Sequence, residues 1–339
     1  MTNTAQSGTT PSPAGAPKAP AGRGGLARYK LATRQARHEP GTPRGRNRRR
    51  RYDGITPWLF VLPLLVGVIG FYIWPILQTF YYSFTTWGVF GGSSWSGTSN
   101  YRQLFHDSTL YRSLINTIIY TAIVLLGVPI AACVASLLNT PKLRFAQFYR
   151  VLFFLPYIAM PAAIALVWRI IFNGDFGILN WALGLVGVNG PYWLSTEWFA
   201  LIAVSIVGLW SSLGFAVIIL GAGLKDIPPD LYEAAELDGA SRWQRFRSIT
   251  VPLLTPSIFF VVVTTIISSF QLFDLLYAML GHNNPVLPKT MSLVFYFYES
   301  GFVSNNQGYA AAIAVFIFVI IGLVTILQFG LQRRWVYRG

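Results

Sequence analysis

Charged residues are scarce in this chain: Asp, Glu, Lys and Arg make up 11% of its 339 residues, against about 25% in a typical soluble domain. That excludes an ordinary soluble enzyme. Cysteine is nearly absent. With Cys133 alone, neither an intramolecular disulfide framework nor a cysteine-built zinc site is possible. Its apolar setting, PIAACVASLL, reads as a small buried hydrophobe. The three histidines, His38, His106 and His282, lie far apart, so no histidine-built metal site is expected. No GxxxxGK(S/T) stretch occurs, and GAGLKD near 221–226 fails in both spacing and context. With no credible nucleophile–base set either, the chain is expected not to be an enzyme on its own and to need no cofactor and no metal.

What is present is apolar surface and unevenly placed basic charge. Hydrophobic residues make up 53% of the chain, and the net charge is +14. Residues 1–51 hold 12 of the basic residues and one acid, Glu39. The rest is nearly neutral, so the charge does not mark a nucleic-acid binder. Residues 1–52, rich in Thr, Ser, Pro, Gly, Ala and Arg, bury too little apolar surface to offset chain entropy and are expected to form a disordered tail. Arg48–Arg51 resemble a twin-arginine leader. The following apolar stretch is too long for one, and no small-residue cleavage site follows, so a retained cytoplasmic tail is expected.

Residues 53–339 are then expected to form a transmembrane domain. Six apolar segments run near 57–83, 114–138, 148–172, 198–223, 255–280 and 310–332, each long enough to cross about 30 Å of hydrocarbon as a helix. The fold class is therefore all-α and polytopic. Loop charges set the orientation. Lys142, Arg144 and Arg150 follow span 2, Lys225, Arg242, Arg245 and Arg247 follow span 4, and Arg333, Arg334 and Arg338 follow span 6. The alternate loops are poorer in Lys and Arg, which places both termini in the cytoplasm. Trp58, Trp74, Trp87, Trp168, Trp198 and Trp335 fall near span ends as interface anchors. Pro63, Pro75, Pro129, Pro156 and Pro161 lie inside spans, where kinks are expected.

The loop between spans 4 and 5, residues 227–252, is too long and too patterned for a simple connection. Asp230, with Glu233 three positions on, fits a capping box starting a short helix, LYEAAELD. Gly239 sits where a left-handed residue ends such a helix. Ser241 and Gln244 repeat the capping signature and open a second helix. It carries Trp243, Phe246 and Ile249 on one side, with Arg242, Arg245 and Arg247 elsewhere, and is expected in the cytoplasmic headgroup layer. The first helix is acidic (Glu233, Glu236, Asp238) on an otherwise basic face. Leu231, Tyr232 and Leu237 would expose apolar area to water, and Ala234 and Ala235 permit close approach, which together point to a cytoplasmic protein partner.

This stretch, EAAELDGASRWQRFRSITVP, resembles the EAA loop of binding-protein-dependent ABC importer permeases. Glu233, Ala234, Ala235, Gly239, Ile249 and Pro252 match its pattern, Val251 stands where leucine is usual, and Gly239 lies 100 residues before the C-terminus. NYRQLFHDSTLYRSLINTIIYT, WRIIFNGDFGILN, FQLFDLLY and GYAAAIAV are similar to the carbohydrate-uptake branch, of the maltose, multiple-sugar and glycerol-3-phosphate type. The chain departs from that branch in having GHNNP at 281–285, where a TGGGP-like turn is usual, and in its long basic tail. The resemblance implies a type I permease fold with a cytoplasmic coupling helix, in a bacterial cell membrane. It implies import of a sugar or sugar-like solute driven by a partner ATPase dimer docked on the EAA helix. It also implies a second homologous permease subunit as heterodimer partner and an extracytoplasmic solute-binding protein. Glu233 would be the charged contact with the ATPase, Ala234 and Ala235 the close-packing surface, and Gly239 the required turn.

For the solute path, Asp274 is an acid inside span 5 beside Gln271, Ser268 and Ser269, where an ionisable group is costly and faces the bundle interior or a wet cavity. As parts of one helix, Gln271 and Asp274 would share a face bordered by Phe270 and Tyr277, although a structural interhelical hydrogen bond explains the same pattern. Asn116 and Arg169 are weaker candidates. The alternative function is a stand-alone secondary transporter, which would need several intramembrane ionisable groups and often an internal repeat. A membrane-embedded transferase would need a carboxylate cluster that the sequence does not offer.

Overall fold

The computed structural model describes residues 56–87, 92–140 and 143–335. The tail expected over 1–52, Lys142 and Arg338 lie outside them. The chain divides into two units, residues 1–64 and 65–339. The described part of the first is the beginning of helix α1 (Thr56–Val68), whose side chains from Trp58 to Leu64 are exposed and almost wholly apolar.

The second unit is helical apart from a small two-stranded ribbon among the described residues. After α1, a π-helical turn at Ile69–Ile73 leads into α2 (Trp74–Tyr82). Strands β1 (Thr85–Trp87) and β2 (Ser93–Trp95) pair antiparallel, Thr85 opposite Trp95. Helices α3 (Ser108–Leu125) and α4 (Gly127–Leu138) form one span; α5 (Ala146–Ile158) and α6 (Pro161–Ile171) follow. Next come α7 (Ile178–Leu185), α8 (Glu197–Lys225), α9 (Pro229–Leu237) and α10 (Arg242–Arg245). The chain ends with α11 (Thr255–Phe270), α12 (Asp274–Leu280), α13 (Leu293–Tyr298) and α14 (Gln307–Trp335).

Four continuous helical stretches are long and apolar enough to cross a membrane: Trp58–Tyr82, Ser108–Leu138, Glu197–Lys225 and Gln307–Gln332. Two more candidate spans are bent pairs. Helices α5 and α6 meet at 98°, and Arg242–Leu253 meets α11 at 68°. The first bend lies at Ala159–Met160, where both residues are extended and Pro161 opens α6. Proline disfavours helical backbone in the residue before it, which is why the helix stops there. Counted as one span each, the bent pairs bring the number to the expected six.

Helix α8 is the hub. Most of its buried side chains are small or β-branched, among them Ala200, Ala203, Val204, Val207 and Val217, and small residues let helices approach where lipid supplies no hydrophobic drive. At Gly214 a β-carbon would stand 2.5 Å from the Phe153 carbonyl oxygen, so only glycine admits α5 at that distance. One expectation is corrected. Cys133 is exposed on α4, not buried. In a membrane protein an apolar helix face turns to lipid as readily as to the core, so apolar sequence context does not imply burial.

Candidate functional site

The loop that follows α8 folds into a compact hook. Helix α9 starts two residues earlier than its capping signature implied. Pro228 is the N-cap and makes no side-chain bond; Pro229 takes the first helical position and Asp230 the second. Pro229 wins because its fixed φ suits that position and its missing N–H is one the helix leaves unsatisfied anyway. The Asp230–Glu233 capping box therefore does not form, and Asp230 instead sits in the first turn, where the helix dipole favours an acid.

The far end of α9 closes as the sequence implied. Gly239 has φ +74°, its N–H donates to Glu236 O at 3.1 Å, and the Ala240 N–H donates to Ala235 O at 2.9 Å. This pair of bonds is a Schellman motif, which satisfies two orphan carbonyls and fixes the exit direction of the chain. The Ser241–Gln244 box also forms: Ser241 N–H donates to Gln244 Oε1 at 2.8 Å, and Gln244 N–H donates to Ser241 Oγ at 3.3 Å.

Two side-chain ties that sequence reasoning missed hold α9 against the next segment. Arg245 donates to Glu236 Oε2 at 2.9 Å, and the Tyr232 hydroxyl lies 3.0 Å from Thr250 Oγ1. Tyr232 and Ala235 are half-buried, whereas Leu231, Glu233, Ala234 and Leu237 are exposed. Leu237 is 90% exposed. The two alanines thus do different jobs. Ala234 belongs to the outward surface with Glu233, and Ala235 supplies the carbonyl that ends the helix. Ile249 is half-buried within a π-helical turn, Phe246–Thr250, and Pro252 lies just before the 68° bend at Leu254. Trp243, which was expected to reach the headgroup layer, is exposed and stacks on Phe246 with ring centroids 5.7 Å apart.

The expected solute-path residues are rearranged. Span 5 is not one helix through 280: α11 ends at Phe270, and Asp274 begins α12 after a break at Gln271–Phe273. Gln271 and Asp274 therefore do not share a helix face, although both are exposed. Phe270 is buried against Leu104, Leu110 and Ile313 and borders no path. Tyr277 is exposed and stacks on Phe273. The break is held from outside the helix, because the Ser292 hydroxyl donates to Leu272 O. Asn116, a weaker candidate, has a structural role: its amide donates to Lys289 O at 2.9 Å and Met291 O at 3.1 Å. Arg169 is exposed on α6.

The start of span 2 is tied to α13 and to the start of α14 by another residue the sequence did not single out. Asp107 caps α3 through Thr109 and Leu110 and also accepts from the hydroxyls of Tyr296 and Tyr309. Burial alone would raise its pKa. The tyrosine hydroxyls and the two backbone N–H groups outweigh it and hold the carboxyl below its ordinary range.

Among the described residues no cluster of His, Cys, Asp or Glu is arranged to hold a metal. Residues 123–337 match the family described as binding-protein-dependent transport system inner membrane component. The chain is 35% identical to the probable ABC transporter permease protein YesP of Bacillus subtilis, over 85% of this chain and 93% of that protein. It is 31% identical to the lactose transport system permease protein LacF of Rhizobium radiobacter, over 84% and 96%. It also shares its fold with a chain of a bacterial ABC transporter involved in the import of the acidic polysaccharide alginate: TM-score 0.73, 21% identity, 82% of this chain and 95% of that one covered. The six apolar spans, the hooked loop and these likenesses lead to one conclusion: this chain belongs to the family of binding-protein-dependent inner-membrane transport components, as an ABC transporter permease.

Proposed function

We propose that this chain carries a sugar or sugar-like solute into the cytoplasm, driven by ATP hydrolysis on a separate ATPase dimer that docks on α9. The observation that carries the reading is the surface of that helix. An acid, a small residue and an almost fully exposed leucine (Glu233, Ala234, Leu237) stand together on a hook whose exit is fixed by Gly239. Water is a poor partner for Leu237, and a fixed hook transmits a push that a mobile loop would absorb. Coupling then requires the ATPase to contact α9 differently in its open and closed states.

Positive-inside charge supports a cytoplasmic location for both termini and α9, with residues 1–52 as a tail on a permease domain of 53–339. The solute-binding protein would meet the opposite face, and a second homologous permease would complete the path. That relatives include a lactose permease supports a sugar as cargo. The test is uptake into cells expressing the full transporter. Loss of uptake on deleting the ATPase gene, with persistence under a protonophore, is the expected result. The reverse pattern would establish a stand-alone secondary transporter.

A further inference from the structure

We infer that Phe273, Tyr277, Tyr298 and Phe302 form a stacking track that guides a sugar ring from the outer face to the polar break at Gln271 and Asp274; this rests on the proposed sugar import and names the side chains that recognise the cargo. The geometry comes from two helices that start at the same level. Ser292, which caps α13, bonds the Leu272 carbonyl in the break from which α12 departs. From that shared base come Phe273, which precedes α12 as its N-cap residue, and Tyr277 on α12, while α13 and the π-helical turn after it, Glu299–Val303, carry Tyr298 and Phe302.

The rings form an unbroken chain. Centroids lie 5.6 Å apart for Phe273–Tyr277, 5.0 Å for Phe273–Tyr298, 6.0 Å for Tyr277–Tyr298 and 5.5 Å for Tyr298–Phe302. The band has one open side: Tyr277 is 40% and Phe302 67% exposed, while Phe273 and Tyr298 are half-buried behind them. At its inner end stand the exposed amide of Gln271 and the exposed carboxyl of Asp274, which lies one helical turn before Tyr277.

Lipid is a poor cover for this surface. Unwound backbone at membrane depth persists only where protein buries it or a watery cavity meets it, and an exposed carboxyl there is costly against hydrocarbon. Aromatic faces beside hydrogen-bonding groups suit a ligand with apolar ring faces and a polar rim, which is the chemistry of a pyranose.

The test uses the assembled transporter in cells, with Cys133→Ala as background and Phe302→Cys as the reporter. Lactose and arabino-oligosaccharides serve as cargo, and a charged, membrane-impermeant maleimide is applied from outside. The inference expects labelling that the transported sugar slows. Labelling that sugar leaves unchanged overturns it, as does labelling of the isolated chain but not of the assembly, which would make the band a subunit interface. No labelling of either would assign it to lipid. In parallel, Tyr298→Leu should raise the KM for uptake about five-fold, the scale of a lost aromatic contact, with Tyr298→Phe close to wild type. An unchanged KM in Tyr298→Leu overturns the track while leaving sugar import standing. A wild-type assembly that carries neither sugar overturns sugar import and the track with it.

Discussion

Tyr232 and Thr250 join their hydroxyl oxygens at 3.0 Å across 18 residues of chain. This contact ties α9, the surface proposed to meet the ATPase, to a buried residue four positions before the 68° bend into α11. The neighbouring Arg245–Glu236 pair points the same way, but Glu236 is largely exposed, and an ion pair in water contributes little. The hydroxyl pair is therefore the firmer of the two links. Tyr232→Phe should leave insertion and ATPase binding intact and cost the hook about 1 kcal/mol. Uptake should fall several-fold while stimulated ATP hydrolysis falls less. Equal losses in both would show that Tyr232 acts on docking and not on transmission.

The Gly239 turn tests the hook from its other end. At φ +74° a side chain is disfavoured by about 1–2 kcal/mol, more for a β-branched residue, while asparagine tolerates the conformation. A β-carbon there meets no neighbour within 4 Å, so the strain is purely of the backbone. Gly239→Val should uncouple transport from ATP hydrolysis without changing the amount of chain in the membrane, and Gly239→Asn should retain most uptake. Normal uptake and full ATPase stimulation in Gly239→Val would remove this turn from the coupling path.

Asp107 should make stability pH-dependent at the acid end. Its carboxyl is held below the ordinary range, so the folded state binds the proton less well than the unfolded one. The stabilisation is then complete above the unfolded value, about 3.9, and is lost as pH falls through the lower folded value. Asp107→Asn should lower the melting temperature of the detergent-purified chain at pH 7 and flatten its dependence on pH below 5. A variant with the wild-type melting temperature at pH 7 would mean that the two tyrosine hydroxyls find equivalent partners elsewhere.

Local chemistry was legible in the sequence, and long-range chemistry was not. The apolar runs announce themselves by length, and Gly239 and the Ser241–Gln244 box by their spacing, because each is decided within one helical turn. The Asp230 cap failed because an adjacent proline competed for the same turn. The break at Gln271–Phe273 was hidden for a different reason. The groups that satisfy it and the segment behind it are Ser292, Asn116 and Thr117; the bonds that Asn116 donates and the one that Thr117 accepts from Leu293 N–H span more than 170 residues. One signal was available. An acid inside an apolar run is better placed at the start of a helix, where the dipole welcomes it, than in the middle of one, and Asp274 is the first residue of α12.

The packing of α8 against α5 makes the last prediction, because two glycines of one helix differ sharply in surroundings. At Gly214 a β-carbon would meet the Phe153 carbonyl oxygen at 2.5 Å and the Phe154 α-carbon at 2.8 Å, both backbone atoms that cannot swing aside. At Gly221 it would meet nothing within 4 Å. Alanine at either site brings the same gain in helix propensity, roughly 1 kcal/mol in the interior of a helix, so the difference between the variants isolates the contact. Gly214→Ala has to part α8 from the first half of the bent third span, and overpacking of this kind costs about 1–3 kcal/mol. Thermal unfolding in detergent should therefore place Gly214→Ala below wild type and Gly221→Ala at or above it. Should both variants melt together, the approach of α5 to α8 at Gly214 is looser than 2.5 Å implies.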